Sequence, residues 1–220
     1  MAFDEVASSQ LFRGMTGEER ETCLAALRAH ERHYGKNGRI LHAGDATEEM
    51  GMVLSGSVTI EMNDLWGNGT ILGHVGAGGF FAESYAMLPG EVMLVDVRAN
   101  EETRVLLMNL SPLRAGGGEP WQVALTRNLL MIATRKNQNL TERSFHTGHK
   151  TIRGRVLSYL NAVALRQGSR EVTIPFDRQQ LADYLCVERT ALSKELSKMR
   201  AEGLIACHKN RFVLRETDGE

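Results

Sequence analysis

Two short amphipathic helical patterns near the C-terminus constrain the fold of this chain more than any other feature. The first begins at Asp177, a favourable N-cap residue, and Gln180 three positions later completes a capping box. The tripeptide Cys186-Val187-Glu188 separates it from the second pattern, as in a helix-turn-helix. Both patterns repeat apolar residues at helical spacing, which predicts one buried face each: Leu181, Ala182 and Leu185 in the first, and Leu192, Leu196 and Met199 in the second.

The second helix, predicted from about Glu188 to Arg200, carries hydroxyls and cations on its opposite face. These residues are Arg189, Thr190, Ser193, Lys194 and Ser197, with Glu195 beside them. Donors at the start of a helix reach base edges in the major groove, and cations along it bind phosphates. The face therefore favours a DNA-reading helix. A helix pair with a merely solvated basic face is the alternative, because the motif defines a geometry rather than a ligand.

A wing is predicted directly after this helix. Gly203 stands at a helix C-cap position, and two apolar stretches, 204–206 and 212–214, are joined by the polar segment 207–211. This pattern indicates a β-hairpin with a basic tip. The candidate DNA-binding residues are Arg178, Gln179, Arg189, Thr190, Ser193, Lys194, Lys198 and Lys209.

Charge is divided unevenly along the 220 residues. Residues 1–118 hold nine Lys and Arg against sixteen Asp and Glu, a net −7, whereas residues 147–220 hold thirteen against nine, a net +4. We expect only the second half to meet phosphate. Three scattered cysteines, a polar start at residues 1–10 and the lack of a long apolar run predict a reduced cytoplasmic protein with no membrane span.

The sequence pattern of the first half is typical of a β-barrel or jelly roll. A helical pattern from Ser9 to Arg32, with a cap at Thr16 and Glu19, places His30 and His33 on one helical face, but no third ligand makes a metal site of them. From Tyr34 to Leu110, frequent glycines separate short apolar runs. The predicted strands are 50–54, 57–62, 70–75, 91–97 and 104–109, with turns at 55–56 and 66–69.

A long helix is predicted from Trp121 to about Phe145, with Pro120 in its first turn. Leu125, Ile132 and Asn139 are spaced by sevens, with Leu129 and Lys136 between them. This spacing favours a parallel dimer through that face, and a single helix along the barrel is the alternative. His146 to His149 is interpreted as a hinge, followed by a helix from Ile152 and a strand at 172–175.

The sequence thus predicts an α+β protein in three parts: a jelly-roll-like β-roll sensor domain at 1–118, a dimerisation helix at 119–146 and a winged helix at 147–220. In this order, the parts resemble the CRP/FNR family of bacterial transcription regulators. The segments that carry the resemblance are 177–185, Arg189, 192–196 and 202–205. It implies a cytoplasmic homodimer that binds palindromic double-stranded DNA. An activator would also contact RNA polymerase, and nothing in the sequence separates activation from repression.

The resemblance also implies which residues read bases, and two of them depart from the family pattern. Arg189 matches the first family arginine, but Thr190 replaces the usual glutamate and Lys194 the usual second arginine. Threonine contacts bases less directionally than a carboxylate, and lysine lacks the bidentate fork of arginine. We therefore expect a half-site different from the TGTGA type.

Cyclic-nucleotide-binding members grip the phosphate with Gly-Glu-Leu and an Arg-Ser pair about ten residues later. Here the glutamate survives as Glu83, but the Arg-Ser positions hold Met93 and Leu94, and the nearest cation is Arg98. A buried cyclic phosphate without a cation would be costly. We expect a less anionic effector, or none, in a pocket that includes Ala82, Glu83, Ser84, Tyr85, Met93 and Leu125.

Other classes of function fit less well. Three scattered cysteines cannot supply the four thiolates of an iron–sulfur sensor. Haem sensing stays open, with the candidate axial ligands Cys23, His42, His74, Met87 and Met93. A cupin-like enzyme is disfavoured because no His-x-His occurs, so neither a catalytic nor a metal site is predicted. A β-roll interaction module with a vestigial winged helix is a further alternative, and the cofactor is left unassigned.

Overall fold

A computed structural model describes residues 6–63 and 69–215. The start of the polar N-terminal stretch, residues 1–5, and the predicted turn at Trp66-Gly67-Asn68 lie outside the described residues. The chain divides into two compact units, Met1–Thr134 and Arg135–Glu220, and the boundary falls inside the long helix.

The first unit begins with a 3₁₀ turn at Gln10–Phe12 and helix α1 at Gly17–Ala26. The predicted capping box is confirmed, because the Thr16 hydroxyl accepts from the Glu19 N–H and the Glu19 carboxylate accepts from the Thr16 N–H. The predicted helical histidine pair is wrong. The helix ends before His30, which opens strand β1 at His30–Tyr34, and residues three apart in a strand point to opposite faces.

Two four-stranded antiparallel sheets form the β-roll. After β1, their strands are β2 (Arg39–Leu41), β3 (Glu49–Ser55), β4 (Ser57–Asn63), β5 (Gly69–Gly76), β6 (Phe80–Phe81), β7 (Asp96–Ala99) and β8 (Thr103–Asn109). One sheet has the order β1-β8-β3-β6 and the other β2-β7-β4-β5. The strand predicted over 91–97 is wrong in extent, because pairing of β7 begins only at Asp96.

Gly56 sends the chain from one sheet to the other rather than closing a hairpin. Strand β3 pairs with β8 and β6, whereas β4 pairs with β5 and β7. Gly56 has φ +79°, and a Cβ there would lie 2.6 Å from the Glu102 carbonyl oxygen. Glycine is the residue that fits such a corner without strain. The corner closes the jelly-roll-like architecture that the spacing of short strands predicted.

Helix α2 (Glu83–Met87) follows β6, and the short α3 (Ser111–Arg114) leads into the long helix α4 (Pro120–Thr147). The predicted long helix is confirmed, including Pro120 as its first residue. Trp121, Leu125, Leu129 and Ile132 are buried in the core of the first unit. Buried Asn128 donates to the carbonyls of Leu11 and Arg13 at 2.8 and 2.9 Å, which fixes the rotation of this helix.

The face of α4 that packs into the core of the first unit is the one that the sequence assigned to the dimer interface. That assignment is therefore wrong. Leu125 is fully buried and Ile132 is 6% exposed within their own unit. The apolar residues that face outward are different: Val123, Leu130, Met131 and Leu140, each more than half exposed. A heptad pattern alone does not say which apolar stripe meets the partner and which meets the chain's own core.

The second unit contains helix α5 (Ile152–Gln167), strand β9 (Glu171–Thr173), helices α6 (Arg178–Tyr184) and α7 (Arg189–Ala201), and strands β10 (Ile205–His208) and β11 (Arg211–Leu214). Gly168 ends α5 in a left-handed cap. The predicted hinge begins later than expected, since α4 continues through Thr147 and His146 is buried. No helix in the described ranges, 6–63 and 69–215, combines the length and apolarity of a membrane span.

Candidate nucleic-acid interface and effector region

The two helices near the C-terminus form the predicted helix-turn-helix. The capping box at the start of α6 is present, with the Gln180 N–H donating to the Asp177 carboxylate at 2.8 Å and the Asp177 N–H donating to the Gln180 side chain at 2.9 Å. All six predicted apolar positions are buried in one core with α5 and the wing: Leu181, Ala182, Leu185, Leu192, Leu196 and Met199. Burial of these side chains turns the polar face of α7 outward.

The outward face of α7 presents a cationic and hydroxyl surface. Arg189, Thr190, Lys194, Ser197 and Lys198 are exposed and Ser193 is half-buried. The Ser193 hydroxyl donates to the Arg189 carbonyl at 2.9 Å, so its proton is used and its oxygen is left as an acceptor. This face can donate to phosphates and base edges from its cations and accept through its hydroxyls.

Arg153 on α5 holds the back of α7, a role that the sequence did not reveal. Its Nε donates to Glu195 at 2.7 Å and its Nη1 lies 2.7 Å from the Glu202 carboxylate. The hydrogen bond from Arg153 lowers the pKa of Glu202. Glu195, which the sequence placed beside the polar face, therefore contacts α5 instead. The ion pair with Arg153 compensates the negative charge of Glu195 next to the cationic face of α7.

The wing is confirmed as a hairpin of β10 and β11, with β9 on the outer side of β11. Lys209 takes φ +53° in the two-residue turn, and the Asn210 side chain donates to the Ile174 carbonyl at 3.1 Å. Arg178 at the start of α6 donates to the Lys209 carbonyl at 3.5 Å and lies 5.9 Å over the Phe212 ring. Two predicted DNA-binding residues, Arg178 and Lys209, are thus neighbours.

Gln179 lies apart from that contact. Its side-chain amide donates to Asp183 at 2.8 Å, one turn further along α6. The Gln179 side chain remains exposed, as do Lys194 and Lys198 on α7. The eight candidate residues therefore divide into a group on α7, a pair at the wing turn and Gln179 on α6.

The candidate effector residues belong to different apolar clusters of the first unit. Met93 is buried between the two sheets with Phe81, and Ala82 and Tyr85 pack at the edge of that cluster. Leu125 belongs to the other core of the same unit, beside Trp121. Leu125 and Met93 thus pack in different apolar clusters of the first unit, and the pocket that would include both stays a prediction.

Apolar side chains pack between the two sheets near Glu83 and Met93, where the phosphate-binding pattern is lost. The Phe81 ring lies where a side chain on Gly51 would be, since a Cβ at Gly51 would be 2.0 Å from the ring. Glu83 is 7% exposed at the start of α2, and Ser84 is exposed. The Tyr85 hydroxyl accepts from the Leu94 N–H at 3.4 Å, which ties α2 to the loop that follows.

Arg98 does not replace the missing phosphate-binding arginine. It lies on β7 between inward-facing Val97 and Ala99, so it points to the outer face of the sheet. There its Nε donates to Glu61 at 2.5 Å. A cyclic phosphate between the sheets would consequently receive no charge from this guanidinium.

The candidate haem ligands are also scattered. Cys23 is fully buried, and burial raises the pKa of its thiol to about 12. His74 lies on β5 with Nδ1 2.9 Å from the Thr59 hydroxyl, and His42 has Nδ1 2.7 Å from the Ala43 carbonyl oxygen. Met93 lies in the interior and Met87 is exposed at the end of α2. His42 and Met93 line one cleft together with Arg39 and Asp45, whereas Cys23, His74 and Met87 are not among its lining residues.

Both units match known domain families. Residues 31–115 match the model of the cyclic nucleotide-binding domain, and residues 154–219 match that of the Crp-like helix-turn-helix domain. The chain belongs to the CRP/FNR family of transcription regulators. This CRP/FNR protein is 27% identical over 214 residues to the nitrogen fixation regulation protein FixK of Azorhizobium caulinodans, with 94% of this chain and 84% of FixK covered. As a member, it is a regulator with a helix-turn-helix DNA-binding domain.

Solved structures of other regulators share the fold of this CRP/FNR protein. FixK2 from Bradyrhizobium japonicum aligns with a TM-score of 0.53 at 23% identity, over 86% of this chain and 93% of FixK2. The c-di-GMP-responsive global regulator CLP of Xanthomonas campestris aligns with a TM-score of 0.57 at 20% identity, over 92% and 100% of the two chains. At these identities the likeness concerns the fold.

Proposed function

We propose that this CRP/FNR protein is a homodimeric, sequence-specific regulator that inserts helix α7 into the major groove of a palindromic DNA site. The observation that carries the proposal is the exposed face of α7, where three cations and a threonine stand opposite a fully buried apolar face. Arg189, Thr190, Ser193 and Lys194 read bases, and Lys198 binds phosphate. Arg178, Gln179 and Lys209 bind the backbone beside the groove.

The outward apolar residues of α4 support a second copy of this chain as the dimer partner. Val123 and Leu130 are 61% and 64% exposed, and seven and ten residues beyond Leu130 lie Asn137 and Leu140. This is the heptad spacing of a parallel helix pair. Two recognition helices held in this way would contact successive major grooves, about 34 Å apart.

The first test replaces the reading residues while keeping the scaffold. Arg189→Ala combined with Lys194→Ala should weaken binding to a duplex selected by the wild-type protein at least about 30-fold, because each base or phosphate contact contributes about 1–3 kcal/mol. Fluorescence anisotropy at fixed salt measures the affinity. Lys150→Ala, which also removes a cation from the second unit but lies outside the motif, should leave it nearly unchanged.

Two outcomes would contradict the proposal. Equal affinity of the double variant and the wild type would remove α7 from the interface. A selection from random duplexes that yields no consensus would remove sequence specificity. A consensus of the TGTGA type would instead contradict only the altered half-site inferred from Thr190 and Lys194.

The β-roll is proposed to bind an uncharged or weakly charged effector rather than a cyclic nucleotide. Met93 is buried where the phosphate-binding arginine would be, and Arg98 is paired with Glu61 on the outer face. CLP is described as c-di-GMP-responsive, but the position that would hold the phosphate-binding arginine here is the apolar Met93, which favours a less anionic ligand. An activating role would add RNA polymerase as a partner. The three free cysteines suit a reducing cytoplasm.

A further inference from the structure

Two arginines from different helices bind four consecutive carbonyl groups at the end of α6. Arg143, near the end of α4, donates to the carbonyls of Asp183 and Tyr184, both at 2.9 Å. Arg155, on α5, donates to the next two carbonyls, of Leu185 and Cys186, at 3.0 and 2.9 Å. All of these residues belong to the second unit.

These carbonyls lie at the point where the chain leaves α6 and turns toward α7. The last carbonyls of a helix have no partner within the helix, and a glycine-based cap often supplies one. Here Cys186 takes the left-handed conformation, with φ +52°, although it is not glycine. Among the described residues, no backbone N–H donates to the carbonyls of Tyr184, Leu185 or Cys186. The arginines supply the missing donors.

Further contacts fix the Arg143 guanidinium in one orientation. Its Cζ lies 5.7 Å over the Tyr184 ring, and Nη2 lies 3.5 Å from the Cys186 sulfur. Arg155 is fixed similarly, because its Nε donates to the His149 carbonyl at 2.9 Å. A planar fork stacked on a ring can hold two carbonyls at a defined angle, which the single ammonium of lysine cannot do.

We propose that Arg143 and Arg155 are positioning residues for DNA recognition, which set the direction in which α7 leaves the turn Leu185–Glu188. The inference rests on the proposed function of α7 as the reading helix. In this role neither guanidinium needs to contact DNA, because Nε and Nη2 of Arg143 and Nη1 of Arg155 donate to carbonyls at the end of α6 and in the turn. Base readout depends on the direction of α7, whereas non-specific phosphate binding depends mainly on its charge.

The test uses Arg143→Lys and Arg155→Lys, which keep the charge and remove the fork. Arg135→Lys, an exposed arginine on the same long helix, is the matched control. The affinity for the selected duplex should fall about tenfold for each of the first two variants, about the value of one lost base contact. The affinity for an unrelated duplex of equal length should change less than about twofold, and Arg135→Lys should change neither.

Two further readouts separate positioning from other roles. Equal losses on both duplexes would mean a smaller folded fraction and would overturn the proposal. A salt dependence whose slope falls by about one in Arg143→Ala or Arg155→Ala, which remove the charge, would indicate a direct phosphate contact and would also overturn it. The amide NMR signals of Cys186 to Thr190 should shift in Arg143→Lys, and unchanged signals with unchanged affinity would refute positioning. A wild-type protein that prefers no sequence would refute the proposed function instead.

Discussion

Ala82 shows how a single residue can carry backbone strain. It precedes α2 with φ +61°, a left-handed conformation that costs about 1–2 kcal/mol for a residue with a Cβ. Glycine would adopt it freely, and the Gly-Glu-Leu pattern of the cyclic-nucleotide-binding members has glycine immediately before the glutamate that corresponds to Glu83.

Ala82→Gly should therefore stabilise the first unit. We expect the free energy of unfolding to rise by about 0.5–1 kcal/mol, because the relief of strain exceeds the entropy that glycine adds to the unfolded chain. Urea unfolding measures the change. The control is Ala86→Gly, inside helix α2, which should lower the free energy of unfolding by about 1 kcal/mol. A loss of stability in Ala82→Gly would show that the left-handed conformation is not strained.

At the scale of elements, the last turn of α4 is packed against α5 through His146. The ring is 4% exposed, its Nδ1 lies 2.9 Å from the Ser158 hydroxyl and it contacts the Tyr159 ring edge-on at 5.6 Å. Its Nε2 has no hydrogen-bond partner among the described residues. Burial lowers the pKa of His146 below 6.5, against a smaller opposing effect of the Glu142 carboxylate.

This lowered pKa predicts an acid-sensitive second unit. Above pH 6.5 neither folded nor unfolded chain protonates His146, and below it the unfolded chain binds the proton first. The free energy of unfolding should decrease as the pH is lowered from 6.5, until the pH lies below the pKa of His146 in the folded state. His146→Gln should remove that part of the pH dependence, measured by urea unfolding at several pH values. Ser158→Ala, which keeps the imidazole, should retain it. The same slope in His146→Gln and wild type would exclude His146 as its source.

The two sides of the long helix α4 differ in burial. Ile132 is buried in its own unit, whereas Leu130 faces outward. If α4 forms the dimer through its outward face, Leu130→Glu should yield monomers in sedimentation analysis, because it places like charges along the seam.

Ile132→Ala is the matched change on the inner face. It should lower the free energy of unfolding by about 2–5 kcal/mol through loss of core packing, while the protein that remains folded stays dimeric. If Leu130→Glu stays dimeric and Ile132→Ala becomes monomeric, the dimer interface lies on the face of Leu125 and Ile132, as the heptad spacing first suggested.

Local pattern was enough to predict the elements that depend on neighbouring residues. The capping boxes at Thr16 and Asp177, the buried faces of α6 and α7, the wing hairpin and the start of α4 at Pro120 are all confirmed. Each is determined by residues within a few positions of one another. The order of these elements, with the helix-turn-helix residues 177–196, also identified the family.

What the tertiary structure alone decided involves residues far apart in the chain. The sequence placed His30 in a helix, but pairing of β1 with β8, more than 70 residues away, makes it a strand residue. It assigned Leu125 and Ile132 to a dimer interface, but both pack into the core around Trp121 within the first unit. No local pattern distinguishes Arg143, Arg153 and Arg155 from other cations. Only the folded chain brings them to the carbonyls after α6 and to the carboxylates of and after α7. Hydrophobic spacing specifies that a face is buried, but the partner that buries it is set by long-range packing.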